Sequence, residues 1–194
     1  MNTTTTPETI SSIRRVLIVH GYAATPDAHW FPWLRDSLET AGVDATVVSL
    51  PTPNAPKAAA WREAVTEAIQ VPDAGTWIVA HSLGGITALR ALASLEEPWQ
   101  LGGLILVSGF TGALRSLPML DEYLSTDVDV ESITKNIGVR AMVRSDVDAF
   151  VPADASDELA QRLDADLHVQ PGAGHFLGQN GVYDLPLVLD LMRR

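Results

Sequence analysis

The chain has 194 residues, 46% of them hydrophobic, and a formal net charge of −11 at pH 7. This length suits one domain with a single substantial core. The negative charge argues against nucleic acid and anionic membranes as partners, since both are polyanions. The sequence has no cysteine, which excludes disulfides and cysteine catalysis and is compatible with the cytoplasmic location that we expect.

Residues 1–12 are rich in threonine and lack both the basic and the apolar segment of a secretory signal. We therefore predict a disordered N-terminal tail over 1–12 and a single folded domain over 13–194. No apolar run approaches the roughly 20 residues that a membrane-spanning helix needs. The sequence thus predicts no membrane partner.

Strand-like and helix-like segments alternate along the rest of the chain. Apolar runs predict strands over 16–19, 45–50, 76–81, 101–108, 139–143 and 166–170. Apolar residues at helical spacing predict a helix that begins at 29, runs through 38 and ends near Gly42, and further helices over 58–70, 86–92, 153–163 and 182–192. They also predict short helical pieces within an irregular segment over 110–136. Most of the strands are apolar throughout, so we predict an α/β fold with a mostly parallel central sheet and helices on both faces.

Ser82 directly follows the third predicted strand and directly precedes a predicted helix. This order is typical of a nucleophile elbow, a tight turn that needs small residues two positions before and after the serine. Those residues are Ala80 and Gly84, so Ala80 departs from the usual glycine. Ser82 also lies at the carboxyl end of its strand, where α/β sheets bind ligands.

A serine nucleophile needs a base, and the base needs an acid that orients it. In α/β-hydrolases the chain order is serine, acid, histidine. Asp146 and Asp148 follow the fifth predicted strand, and His175 follows the sixth in a glycine-rich loop. We favour Asp148 as the acid because it begins an Asp-x-x-Val-Pro frame, and we expect Asp146 to accept backbone N–H groups in a turn.

The reaction also needs donors for the oxygen that becomes negatively charged. We predict the backbone N–H of Leu83, directly after the serine, and the backbone N–H of Tyr22, in the loop after the first strand. Gly21 allows that loop to turn sharply. The other four histidines (His20, His29, His81 and His168) are expected to pack or to shape turns.

Segments 20–22, 29–34, 80–84, 148–152 and 174–176 resemble the small serine hydrolases related to retinoblastoma-binding protein nine, in particular their bacterial YdeN-like branch. The resemblance extends from about Val16 onward. It implies a minimal α/β-hydrolase fold with little or no lid domain, and it assigns Ser82, Asp148 and His175 to the triad positions. The family often has two consecutive acids before the Val-Pro pair, whereas Val147 precedes Asp148 here.

The sequence therefore predicts a carboxylesterase-like serine hydrolase that needs no metal or cofactor and cleaves a small-molecule ester or related acyl substrate through an acyl-enzyme. An aminopeptidase or a thioesterase with the same triad is the alternative, as is a non-catalytic binding protein on a hydrolase scaffold. We consider Trp30 and Leu114 as pocket residues beside Tyr22. Core packing is the other role open to each of them, and for Trp30 we favour it.

Overall fold

The computed structural model describes residues 12–193, so the predicted tail lies outside the described residues except for Ser12. Six parallel strands form one sheet in the order β2-β1-β3-β4-β5-β6. The strands are β1 (Arg15–Val19), β2 (Asp44–Val48), β3 (Thr76–His81), β4 (Leu101–Val107), β5 (Ile137–Ser145) and β6 (Asp166–Gln170). The predicted α/β class with a parallel sheet is confirmed.

Helices connect the strands. They are α1 (Phe31–Thr40), α2 (Ala58–Ile69), α3 (Leu83–Ala93), α4 (Asp121–Leu124), α5 (Val130–Thr134), α6 (Ala153–Arg162) and α7 (Pro186–Leu191), with 3-10 turns at Pro118–Leu120 and Gly178–Asn180. Within residues 12–193, every helix is too short or too polar to cross a bilayer.

The core lies on both faces of the sheet because successive residues of a strand point to opposite sides. In β4, Leu104 and Leu106 pack with residues of α2, α3 and α6. The neighbouring Ile105 and Val107 pack with residues of α1 and α7 on the other face. The predicted cover of helices on both faces follows from this alternation.

Most predicted bounds differ from the observed ones by one to three residues, and the start of the last helix differs by four. The predicted helix over 182–192 is wrong at its start, because α7 begins at Pro186. Proline lacks a backbone N–H and has a fixed φ, so it suits the first turn of a helix and disrupts the interior. The fifth strand is longer than predicted and runs from Ile137 to Ser145. The additional residues at its carboxyl end, Arg144 and Ser145, pair with Val169 and Gln170 of β6.

Candidate active site

Ser82 occupies a strained turn between β3 and α3. Its backbone has φ 54° and ψ −124°, a combination that residues with a side chain rarely adopt and that is concentrated at functional sites. A Cβ atom on Gly84 would lie 2.5 Å from the carbonyl oxygens of His20 and Val19. The backbone at the end of β1 therefore leaves no room for a side chain at position 84, as the elbow pattern requires.

His175 lies between Ser82 and Asp148. Its Nε2 atom is 2.9 Å from Ser82 Oγ, and its Nδ1 atom is 2.7 Å from Asp148 Oδ2. A carboxylate can only accept, so Nδ1 carries a proton and donates it to Asp148. Nε2 of the neutral ring is then free to accept from the serine hydroxyl. The side chains of His175 and Asp148 are 7% and 5% exposed, so water competes little for these bonds.

Asp148 accepts four hydrogen bonds. Oδ2 accepts from His175 and from the hydroxyl of Ser108, and Oδ1 accepts from the backbone N–H groups of Phe150 and Val151. Burial pushes the pKa of Asp148 upward, but the hydrogen bond and charge of His175 and the two backbone donors outweigh it. The pKa of Asp148 consequently lies below its ordinary value, which keeps the carboxyl group ionised.

The other candidate acid, Asp146, joins two loops, and its carboxylate forms no hydrogen bond with a histidine within residues 12–193. Its Oδ1 atom accepts from the backbone N–H of Gly172 at 2.7 Å, which links the loop after β5 to the loop that carries His175. Asn180 steadies the same loop, since its Oδ1 atom accepts from the N–H groups of His175 and Leu177. The structure thus brings Asp148 to His175 and gives Asp146 the backbone contact of a turn residue.

The two backbone N–H groups predicted for the oxyanion lie beside Ser82, one directly after it and one in the wall of the same pocket. Leu83 is the first residue of α3, where helical N–H groups have no partner in the helix. Gly21 packs closely against the nucleophile, since a Cβ atom there would lie 3.0 Å from Ser82 Cβ. No backbone carbonyl of residues 12–193 accepts from the N–H of Tyr22 or Leu83, so both donors are available to a ligand.

A pocket of about 330 Å³ opens over Ser82 and His175. Its wall is apolar or neutral, because none of its residues is Asp, Glu, Lys or Arg. The lining consists of Gly21, Tyr22, Ala23, Ala24, His29, His81, Ser82, Leu117, Phe150, His175, Leu177 and Gln179.

The structure separates the three residues considered for the substrate pocket. Tyr22 lines the pocket over Ser82. Trp30 does not line it, so its assignment as a pocket residue is corrected. Its side chain is fully buried, with its ring centroid 4.7 Å from that of Phe31, which is the core packing favoured for it from the sequence. Leu114 lines a neighbouring cavity of about 870 Å³ that also reaches Asp148 and Phe150, and it is not part of the pocket over Ser82.

Sequence reasoning missed two side chains that hold the site. His81 Nε2 lies 2.9 Å from the carbonyl oxygen of His175, so the ring donates to the loop that carries the base. Burial, and then the charge of His175, hold the pKa of His81 well below its ordinary value. Ser108 donates to Asp148. Their positions in the sequence could have indicated this role, because His81 and Ser108 each lie at the carboxyl end of a central strand, beside a candidate catalytic loop.

Comparisons with known proteins identify the family. A family model described as serine hydrolase matches residues 16–194. The chain is 40% identical to YdeN of Bacillus subtilis (strain 168) over 179 residues. The aligned region covers 92% of this chain and 94% of YdeN. It is 31% identical to the serine hydrolase RBBP9 of Rattus norvegicus over 149 residues, and this aligned region covers 76% of this chain and 77% of RBBP9.

Solved structures support the same fold. The crystal structure of the B. subtilis YdeN product has a TM-score of 0.89 to this chain at 39% identity, covering 92% of this chain and 96% of that one. The crystal structure of esterase PE8 has a TM-score of 0.57 at 20% identity, covering 95% and 94%. At that identity the second likeness concerns the fold alone.

Proposed function

The chain belongs to the serine hydrolase family, and from this premise we propose that it cleaves a small, uncharged ester or related acyl substrate through an acyl-enzyme on Ser82. The observation that carries the proposal is the unbroken relay of hydrogen bonds, 2.9 Å from Ser82 Oγ to His175 Nε2 and 2.7 Å from His175 Nδ1 to Asp148 Oδ2. Such a relay supplies the base that a serine hydroxyl needs.

In the first half of the reaction, Ser82 Oγ attacks the carbonyl carbon while His175 Nε2 takes the hydroxyl proton. Asp148 holds the tautomer and stabilises the imidazolium that forms. The tetrahedral oxyanion accepts from the N–H groups of Leu83 and Tyr22. When the carbon–oxygen bond to the leaving group breaks, His175 delivers its proton to the departing alcohol and the acyl group stays on Ser82.

In the second half, water takes the place of the alcohol. His175 Nε2 removes a proton from the water as its oxygen attacks the acyl carbon, and a second oxyanion forms against the same two N–H groups. The bond from the carbon to Ser82 Oγ then breaks, and the proton on His175 returns to Ser82. The acid product leaves and the neutral imidazole is restored.

The character of the pocket supports the substrate class. Its volume of about 330 Å³ lies at the lower end for ligand sites, which favours a short acyl group. Charged groups are costly to bury without a partner, and the lining has no ionic side chain to pair with one. An aminopeptidase would need an acid here for the substrate's amino group. We therefore favour esters over aminoacyl amides, and thioesters are the nearest alternative.

A fluorophosphonate probe tests the proposal, because it phosphonylates only a serine that has been activated as a nucleophile. We expect the wild type to be labelled and Ser82→Ala to remain unlabelled. Equal labelling of the two proteins would contradict the mechanism. A panel of p-nitrophenyl acetate and butyrate, the matching thioesters and aminoacyl amides then ranks the substrate classes by kcat/KM.

Two further predictions from the sequence accompany this proposal. We propose a small-molecule acyl substrate as the partner, in keeping with the neutral pocket, and a cytoplasmic location, in keeping with a chain without cysteine. Fractionation of cells that express the protein tests the location.

A further inference from the structure

Ser108 contacts the candidate catalytic acid directly. It follows β4 and its side chain is buried, with the residue 1% exposed. Its hydroxyl donates to Asp148 Oδ2 at 2.8 Å. His175 Nδ1 donates to the same oxygen at 2.7 Å. One carboxylate oxygen therefore accepts from both Ser108 and His175.

The backbone of Ser108 is held in an unusual conformation that aims this hydroxyl. Its φ is 48°, in the left-handed region that side-chain-bearing residues rarely occupy. Its N–H donates to the carbonyl of Val143 in β5 at 2.8 Å, which ties the turn to the strand that leads to Asp148. Strain of this kind persists only where surrounding contacts impose it.

We propose that Ser108 is a positioning residue of the reaction, whose hydroxyl fixes Asp148 Oδ2 against His175 Nδ1 and moderates the basicity of the Asp148–His175 pair. This inference rests on the proposed function of Ser82, Asp148 and His175. Oδ1 is already held by two backbone N–H groups. Ser108 therefore completes a set of four donors that fixes both oxygens of the carboxylate.

The electrostatic consequence has a definite sign. Without the hydroxyl, Oδ2 keeps only His175 as a donor, so the buried carboxylate holds the imidazolium more strongly. The acidic limb of the kcat/KM profile should then move to higher pH. His20, His29 and His81 lie on the pocket side of the pair, and burial lowers the pKa of each. Asp146 bonds the loop that carries His175, and Asp154, Glu158 and Arg162 line the neighbouring cavity that Asp148 reaches. Removing the Ser108 hydroxyl leaves all of these groups in place, so the shift of the limb is measured against the wild-type profile.

The test compares Ser108→Ala with Ser156→Ala. Ser156 is also 1% exposed, and its hydroxyl donates at 2.8 Å to the carbonyl of Gly109, next to Ser108, without contacting Asp148. The two substitutions thus remove equally buried hydroxyls a short distance apart. Ser108→Gly serves as a second variant, because glycine adopts a positive φ without strain and keeps the measurement possible if alanine prevents folding.

We expect Ser108→Ala and Ser108→Gly to lower kcat about 10-fold or more at nearly constant KM, since misplacing a catalytic group is costly. The acidic limb of their kcat/KM profiles should shift to higher pH. Ser156→Ala should lower stability but leave kcat and the acidic limb unchanged. If kcat and the acidic limb of both Ser108 variants match those of Ser156→Ala, the role of Ser108 is overturned. Failure of the fluorophosphonate to label the wild type is a different result, which overturns the proposed function itself.

Discussion

Gly84 packs directly against the carbonyl oxygen of His20, so closely that a Cβ atom on Gly84 would lie 2.5 Å from it. The obstacle is backbone at the end of β1, which cannot rotate away as a side chain could. The helix after the nucleophile is therefore seated on the neighbouring strand at a separation that only glycine allows.

We expect Gly84→Ala to destabilise the protein by about 2 kcal/mol or more and to lower activity, because overpacking at rigid backbone displaces the elbow. Gly85→Ala is the matched control: a Cβ atom there would meet its nearest neighbours at 3.7 Å, an ordinary contact. Alanine is the better helix former, so this variant should keep or gain stability. Urea unfolding checks both, and equal midpoints would contradict the packing argument.

The two aspartates after β5 should differ sharply in their effect on turnover. Asp148→Asn removes the charge that holds His175 Nδ1–H and should lower kcat by about 10³- to 10⁴-fold, as loss of a triad acid does. Asp146→Asn retains an oxygen that can accept from Gly172 N–H and should stay within a few-fold of the wild type. Steady-state kinetics on one ester decides the matter, and the reverse ranking would show that Asp146 is the acid.

Buried histidines should make stability depend on pH. Burial lowers the pKa of His20, His29 and His81, and it lowers that of His81 furthest. Below about pH 6.5 these histidines bind protons in the unfolded chain more readily than in the folded one. The free energy of unfolding should therefore fall as the pH drops. Each fully neutral histidine contributes at most about 1.4 kcal/mol per pH unit. Carboxylates such as Asp148 act at lower pH, because their pKa lies below this window.

His81→Gln isolates the contribution of the most deeply buried ring. Glutamine retains an N–H that can donate to the His175 carbonyl but does not titrate. Urea unfolding of both proteins between about pH 7.5 and 5.5 should give a shallower pH dependence for the variant. Identical slopes would mean that His81 binds its proton equally well in the folded and unfolded states.

Arg90 fastens the segment after β4 to the elbow helix. It is 9% exposed, and its guanidinium donates to the backbone carbonyls of Tyr123, at 2.8 Å, and of Thr126. Arg90→Met leaves the carbonyl of the buried residue Tyr123 and the carbonyl of the more exposed Thr126 without their donor, and should cost about 1–3 kcal/mol of stability. Arg62→Met, at an exposed position of α2, should stay within about 0.5 kcal/mol. Equal unfolding midpoints of the two variants would contradict this role of Arg90.

Much of the candidate site was predictable because α/β topology constrains where loops meet. The loops after β3, β5 and β6 all leave the same edge of a parallel sheet. Residues of suitable chemistry in those loops, in the order of Ser82, Asp148 and His175, were therefore expected to approach one another. The choice of Asp148 over Asp146 followed from the Asp-x-x-Val-Pro frame, and the structure places Asp148 at His175.

The helix boundary at Pro186 and the place of Trp30 were harder to predict. An apolar pattern over 182–192 does not reveal whether a proline will lie inside a helix or begin one. A tryptophan beside a loop can face either a pocket or a core, and the fold buries Trp30 completely. Such outcomes depend on which neighbouring element covers the residue.

The sequence by itself determined the α/β class, the elbow and the loops that carry the candidate catalytic residues, through local pattern and chain order. Only the tertiary structure decided the contacts that hold those loops: Ser108 on Asp148, 40 residues apart, and His81 on the carbonyl of His175, 94 residues apart. The physical reason is that these bonds depend on strand order and backbone conformation. Neither leaves a repeating pattern in the sequence.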